Sequence, residues 1–183
     1  MYSLIVAGAV LGVLIYIYNQ LIRNRFLVRE AFSGIDVQLK RRHDLIPSLV
    51  ETVKGYMQHE RKLLEEIARL RTRVMSTQSL KEKGELENNL SQTLKSIFVL
   101  VENYPNLKAN ENFLMLQKDL TEIEDALQLA RRYYNGTVRN YNIMAQSFPN
   151  NLVAGMFNFK LEEFFEIEYA TDRQVPDVKF ESA

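Results

Sequence analysis

The chain carries two histidines, His43 and His59, and no cysteine, so metal and acid–base chemistry can be checked nearly residue by residue. A di-iron bundle needs Glu-x-x-His pairs on facing helices. Lys40 stands three residues before His43 and Tyr56 three before His59, so that motif is missing. His59-Glu60 opens like the helix of a zinc protease, but Leu63 occupies the place of the second histidine ligand. Both histidines lie beside charge, in Arg42-His43-Asp44 and His59-Glu60-Arg61, and read as surface or capping groups. The lack of cysteine removes disulfides, thiol nucleophiles and thiolate metal sites. The sequence has neither a Gly-x-Ser-x-Gly elbow nor a phosphate-cradling glycine loop. The expectation is therefore no catalytic residue, no metal ligand and no cofactor.

Three polar clusters remain. Asp36, Gln38, Lys40, Arg41, Arg42 and Asp44 form a dense charged stretch that suits either lipid headgroups or a protein partner, against the simpler reading of a solvated helix end capped by Asp44. Asn103, Tyr104, Lys108, Asn110 and Asn112 form an Asn-rich turn that is a candidate contact surface, or a loop whose side chains satisfy its own backbone. Arg131, Arg132, Tyr134 and Asn135 read as structural, with one of the arginines pairing an acid on a neighbouring helix. The sequons at Asn89 and Asn135 carry no meaning on a cytoplasmic face.

The elements that must position these residues begin with an uncharged apolar run, whose first charge is Arg23. As a helix, the 21 residues 2–22 reach about 31 Å, matching a hydrocarbon core of about 30 Å. A cleaved signal peptide fits poorly, because no basic residue precedes the run and Tyr16, Ile17 and Tyr18 occupy the place of cleavage. A buried core helix would show a polar face, and none appears between Leu4 and Tyr18. A retained transmembrane anchor is expected. Arg23, Arg25 and Arg29 follow it, so the N-terminus is expected outside and residues 23–183 in the cytoplasm, at the inner membrane.

Helical periodicity pervades the rest. Val28, Phe32, Ile35 and Leu39 mark a first stripe. Asp44 is a possible cap for a second helix with Pro47 in its first turn; the alternative is one helix kinked near Pro47. Its stripe runs from Ile46 to Val74. A third helix is expected from about Lys81 to Asn103 on Leu86, Leu90, Leu94, Ile97 and Val101. The fourth, from Phe113 to Ala145, steps by three or four throughout and stops at Phe148-Pro149. The aromatic segment 156–165 is expected to fold back on the helices, with a headgroup-level position as the alternative. These elements predict an all-α, antiparallel up-and-down four-helix bundle over 23–170, a transmembrane helix at 1–22 and a partly disordered tail at 171–183.

Charge is balanced overall but uneven. Residues 23–73 carry a net +5 and residues 74–183 a net −5, so the basic portion adjoins the membrane. No strongly basic domain or recognised motif points to nucleic acid.

Several blocks, read in order, resemble one family: the apolar N-terminus, Ile35 to Tyr56, Tyr104-Pro105-Asn106, Ala130 to Asn135, Tyr141-Asn142 and Phe148-Pro149. The chain is similar to the LemA family over roughly residues 1–170, with Phe32-Ser33 and Ser48 departing from its usual residues. The resemblance implies a four-helix bundle on a membrane anchor and no enzyme. The leading expectation is a scaffold or interaction module that meets the bilayer through residues 2–22 and a membrane or cytoplasmic protein through its bundle. An accessory of envelope stress handling or membrane proteolysis, and an enzyme with an unrecognised polar site between helices, are the alternatives.

Overall fold

The computed structural model describes residues 1–57 and 59–165; the expected tail at 171–183 lies outside them. Among the described residues the chain is all-helical. Helix α1 runs without interruption over Tyr2–Lys54, 53 residues, so the apolar run and the first core helix are one element. The onset of charge at Arg23 changes the solvent such a helix prefers, while its backbone geometry continues unaltered.

No helix begins at Asp44, which lies exposed within α1. The break falls later, at Gly55–Glu60, and α2 covers Arg61–Ser76. Pro47 is carried inside α1. Its missing N–H leaves the carbonyl of His43, four residues back, without its helical donor. Arg71 of α2 fills the gap, donating from Nε to that oxygen at 2.8 Å. The proline thus becomes a docking point for the next helix.

Helix α3 spans Leu80–Leu100, and Ser79 caps it by accepting the Glu82 N–H at 3.4 Å. A 3-10 turn at Val101–Asn103 and a single turn, α4 at Pro105–Lys108, lead to α5, Glu111–Gln146. Asn110 caps α5 by accepting the Phe113 N–H at 3.0 Å. Helix α6, Asn150–Met156, follows, and the chain then returns as an extended strap to Phe165.

Three apolar clusters stack along α1. Farthest from the N-terminus, Ile46, Leu49 and Val53 meet Ile67 and Leu70 of α2, Leu90 and Leu94 of α3, and Phe113 and Leu120 of α5. In the middle, Val28, Ile35 and Leu39 meet Tyr134, Val138 and Tyr141 of α5, closed by Phe165 of the strap. Nearest the N-terminus, Ile17 and Leu21 meet Ala145 of α5 and Val153 and Ala154 of α6. Helices α1 and α5 therefore run in opposite directions along their shared length. Large side chains in such clusters are each worth roughly 1.5–3 kcal/mol when fully buried.

Candidate functional site

The core stripe of α1 steps through Ile35, Leu39, Arg42, Ile46, Leu49 and Val53, so helical periodicity drives an arginine into the interior. Arg42 is 0% exposed, which corrects the expectation that it belongs to a surface cluster. Isolated guanidinium burial is costly, so the charge must be met by partners. Arg42 pairs through Nη2 with Glu87 of α3, itself 0% exposed, and through Nη1 with Glu124 of α5. Nη1 also donates to Ser91 Oγ at 2.6 Å. The Ser91 hydroxyl in turn donates toward the Glu124 carboxylate at 3.2–3.3 Å. One cation thereby ties three helices across the core.

His43 is the second correction, because it too is buried. Its Nε2 lies 3.0 Å from Glu87 Oε1, without the alignment of a hydrogen bond. Glu87 is already engaged by Arg42. Burial first, and then the positive charges of Arg42, Arg71 and Lys83, lower the His43 pKa to about 4. The imidazole is neutral at pH 7, the form that adds no further charge to the interior.

The remaining members of the first cluster point outward. Lys40 and Asp44 pair at 2.8 Å, and Arg41 donates to Gln38 at 3.2 Å. The Lys40 hydrogen bond holds the exposed Asp44 carboxyl below its ordinary value. Asp36 binds Lys83 of α3 at 2.8 Å. In the Asn-rich turn, Tyr104 donates to Glu60 at 2.6 Å, Lys108 pairs with Glu102, and Asn110 is the α5 cap. Asn103 and Asn112 are exposed.

The third cluster holds a feature that spacing announces. Tyr134-Asn135 recurs seven residues later as Tyr141-Asn142, two turns along one helix face. Asn135 accepts from the Phe165 N–H at 2.9 Å and donates to the Phe165 carbonyl at 3.1 Å. Asn142 does the same to Glu162, at 3.0 and 2.9 Å. Tyr134 and Tyr141 donate to the carbonyls of Glu163 and Lys160 at 2.8 and 2.9 Å. Each amide pairs with one residue as a neighbouring strand would, so the strap is zipped to α5 by side chains. Burial, with Glu162 and Glu163 nearby, pushes the Tyr134 hydroxyl up to about 12, so it stays a donor. Arg131 is buried with its guanidinium 5.0 Å from the Phe165 ring, while Arg132 is exposed.

Ser91 and Glu124 also floor a polar groove of about 320 Å3, rimmed by Lys95, Gln128, Arg131, Arg132 and Asn135. The serine is held between a cation and a carboxylate, and Glu124 is engaged by Arg42, so neither is poised as nucleophile or free base. Among the described residues no group of three or more His, Asp or Glu could hold a metal ion.

The LemA family model matches residues 31–180. The chain belongs to the LemA family. It is 25% identical to Protein LemA of Metamycoplasma hominis over 166 residues, covering 86% of this chain and 76% of that protein. It is 27% identical over 89 residues to Magnetosome protein MamQ 2 of Paramagnetospirillum magneticum, and 22% identical over 89 residues to Magnetosome protein MamQ of Magnetospirillum gryphiswaldense. Each magnetosome match covers 49% of this chain and 33% of the relative, so it spans about a third of those proteins. The family match begins at Ala31, inside α1, and takes in both the buried cluster and the Tyr-Asn repeat.

Proposed function

We propose that this LemA-family chain is a single-pass, membrane-anchored interaction module: α1 spans the cell membrane with its N-terminus outside and residues 23–183 on the cytoplasmic side, where the helices beyond the apolar run form an antiparallel up-and-down bundle. The observation that carries this reading is the continuity of α1. One helix supplies 21 residues long and apolar enough to cross a bilayer and then, without a joint, a wall of the core. A bundle built this way is held at a set height and angle, as a module that presents a surface requires. Arg23, Arg25 and Arg29 at the end of the apolar run favour the inward orientation.

Height also separates the two uses suggested for the exposed residues Lys40, Arg41 and Asp44. Arg41 lies 18 residues beyond Arg23, about 27 Å along the helix, and a tilt of about 20° changes that little. Electrostatic attraction to headgroups fades over about 8–10 Å. These charges therefore serve a protein partner and not the lipid surface.

Photo-crosslinking residues placed at Val37 and Arg41 in the full chain test this in cells. The module reading predicts a discrete protein adduct that disappears when Lys40 is changed to Glu. Adducts only to lipid, or protein adducts indifferent to that charge, contradict it.

A further inference from the structure

The segment that follows α5 raises a question the anchor alone does not answer. Residues 140–159, between Arg139 and Lys160, contain no charged side chain, the only such stretch of this length after the N-terminal run. This second uncharged stretch packs against the first. Ala145, Val153 and Ala154 cover Ile17 and Leu21, the Tyr18 ring lies 4.8 Å from that of Phe157, and Met156 and Phe157 line a cleft with Leu11, Leu14 and Ile15. Charge returns on the strap at the level where it returns on α1, with Arg25 and Glu162 paired at 3.2 Å.

Five large apolar side chains of this segment, Ile143, Phe148, Leu152, Met156 and Phe157, are exposed, alongside the uncharged side chains of Asn140, Gln146, Ser147, Asn151 and Asn158. Phe148 is 80% exposed, Met156 72% and Leu152 58%. A patch of this kind facing water would be a liability. The uncharged run of α1, residues 2–22, matches a hydrocarbon core of about 30 Å, and α6 packs against its second half, from Leu11 to Leu21.

Much of the backbone of the turn is paired, as an environment where unpaired polar groups are costly favours. Ser147 donates to the Ile143 carbonyl through both N–H, at 2.9 Å, and Oγ, at 2.7 Å. Pro149 has no N–H to satisfy. Asn151, Leu152, Phe157 and Phe159 all donate within the segment, at 2.9–3.2 Å.

We propose that α6 and its flanking turn, with Phe148, Leu152, Met156 and Phe157 outward, are immersed among the acyl chains of the leaflet next to the bundle. The chain then grips the bilayer twice, by a span and by a re-entrant tip packed on that span. This rests on the reading of α1 as a membrane span. Two contacts fix rotation about the α1 axis, which a lone helix leaves free, and so determine which side of the bundle faces a partner.

The absence of cysteine makes the test direct. Single cysteines at Leu11, Leu152, Met156 and, as an aqueous reference, Val99 carry an environment-sensitive fluorophore on the full chain in phosphatidylcholine vesicles containing acyl-chain quencher lipids. Circular dichroism checks that each variant is folded. Labels at 152 and 156 are expected to lose at least half as much emission as the label at 11, and the label at 99 almost none. Quenching at 11 but not at 152 and 156 overturns the proposal while leaving the anchor standing. No quenching at 11 overturns the anchor reading and this proposal with it.

Discussion

Changing Arg42 to Met probes the centre of the structure. The substitution keeps much of the stem and removes the cation, leaving Glu87 fully buried without the partner that meets its charge, while Ser91 loses a donor at 2.6 Å. Breaking a buried pair from one side costs about 3–5 kcal/mol. At about 2–4 °C per kcal/mol for a chain of this size, the melting midpoint should fall by roughly 6–20 °C. Changing Glu87 to Met in the same chain removes the stranded carboxylate. Glu124 remains, but its partly exposed side chain can be hydrated, so the double variant should recover at least about 2 kcal/mol of the loss. Far-UV circular dichroism of the full chain in detergent, followed through heat and urea, reads both quantities. A single variant within about 1 kcal/mol of the parent, or losses that simply add, would show that Arg42 is not held as described.

Further predictions follow from neighbouring groups. Because the His43 pKa is lowered in the folded chain, the unfolded chain binds more protons between pH 6.5 and about 4, and stability falls as pH drops through that window. The contribution is about 3 kcal/mol, and His43→Gln should flatten that part of a urea-midpoint series against pH. Arg71→Leu should cost about 1–3 kcal/mol by orphaning the His43 carbonyl, and Pro47→Ala in the same chain should restore much of it by returning the helical N–H; failure of that rescue in urea titrations would deny the docking role. Asn142→Leu removes both hydrogen bonds to Glu162, and hydrogen exchange should show faster exchange of the 160–165 amides with α3 unaffected.

The helical stripes were legible because apolar side chains at three- and four-residue steps have few alternatives to a shared core. Leu86, Leu90, Leu94, Ile97 and Val101 are all buried, as are Phe113, Leu116, Leu120 and Ile123. Arg42 reads as a surface residue because its neighbours are charged, although its step from Ile35 and Leu39 places it on the core face. Periodicity outranked local composition there, and the same rule would have flagged Arg131, in step with Leu127 and Tyr134. Pro47 left two readings open, a new helix capped by Asp44 or one helix carried through the proline, and α1 follows the second because the cost is met by Arg71 of α2, which sequence cannot place beside it. The aromatic segment divides: Phe165 enters the core, while Met156 and Phe157 face outward beside α1. Nothing in an aromatic run alone separates those two fates.

The central claim is that α1 both crosses the membrane and continues into the bundle. Trypsin added to sealed vesicles of known orientation tests it most directly, since exposed Lys54, Arg61 and Lys62 flank the Gly55–Glu60 break. Inside-out vesicles should be cut there and keep an N-terminal fragment that resists alkaline extraction, while right-side-out vesicles leave the chain intact. Cutting only in right-side-out vesicles reverses the orientation, and alkaline release of the intact chain would contradict the span itself.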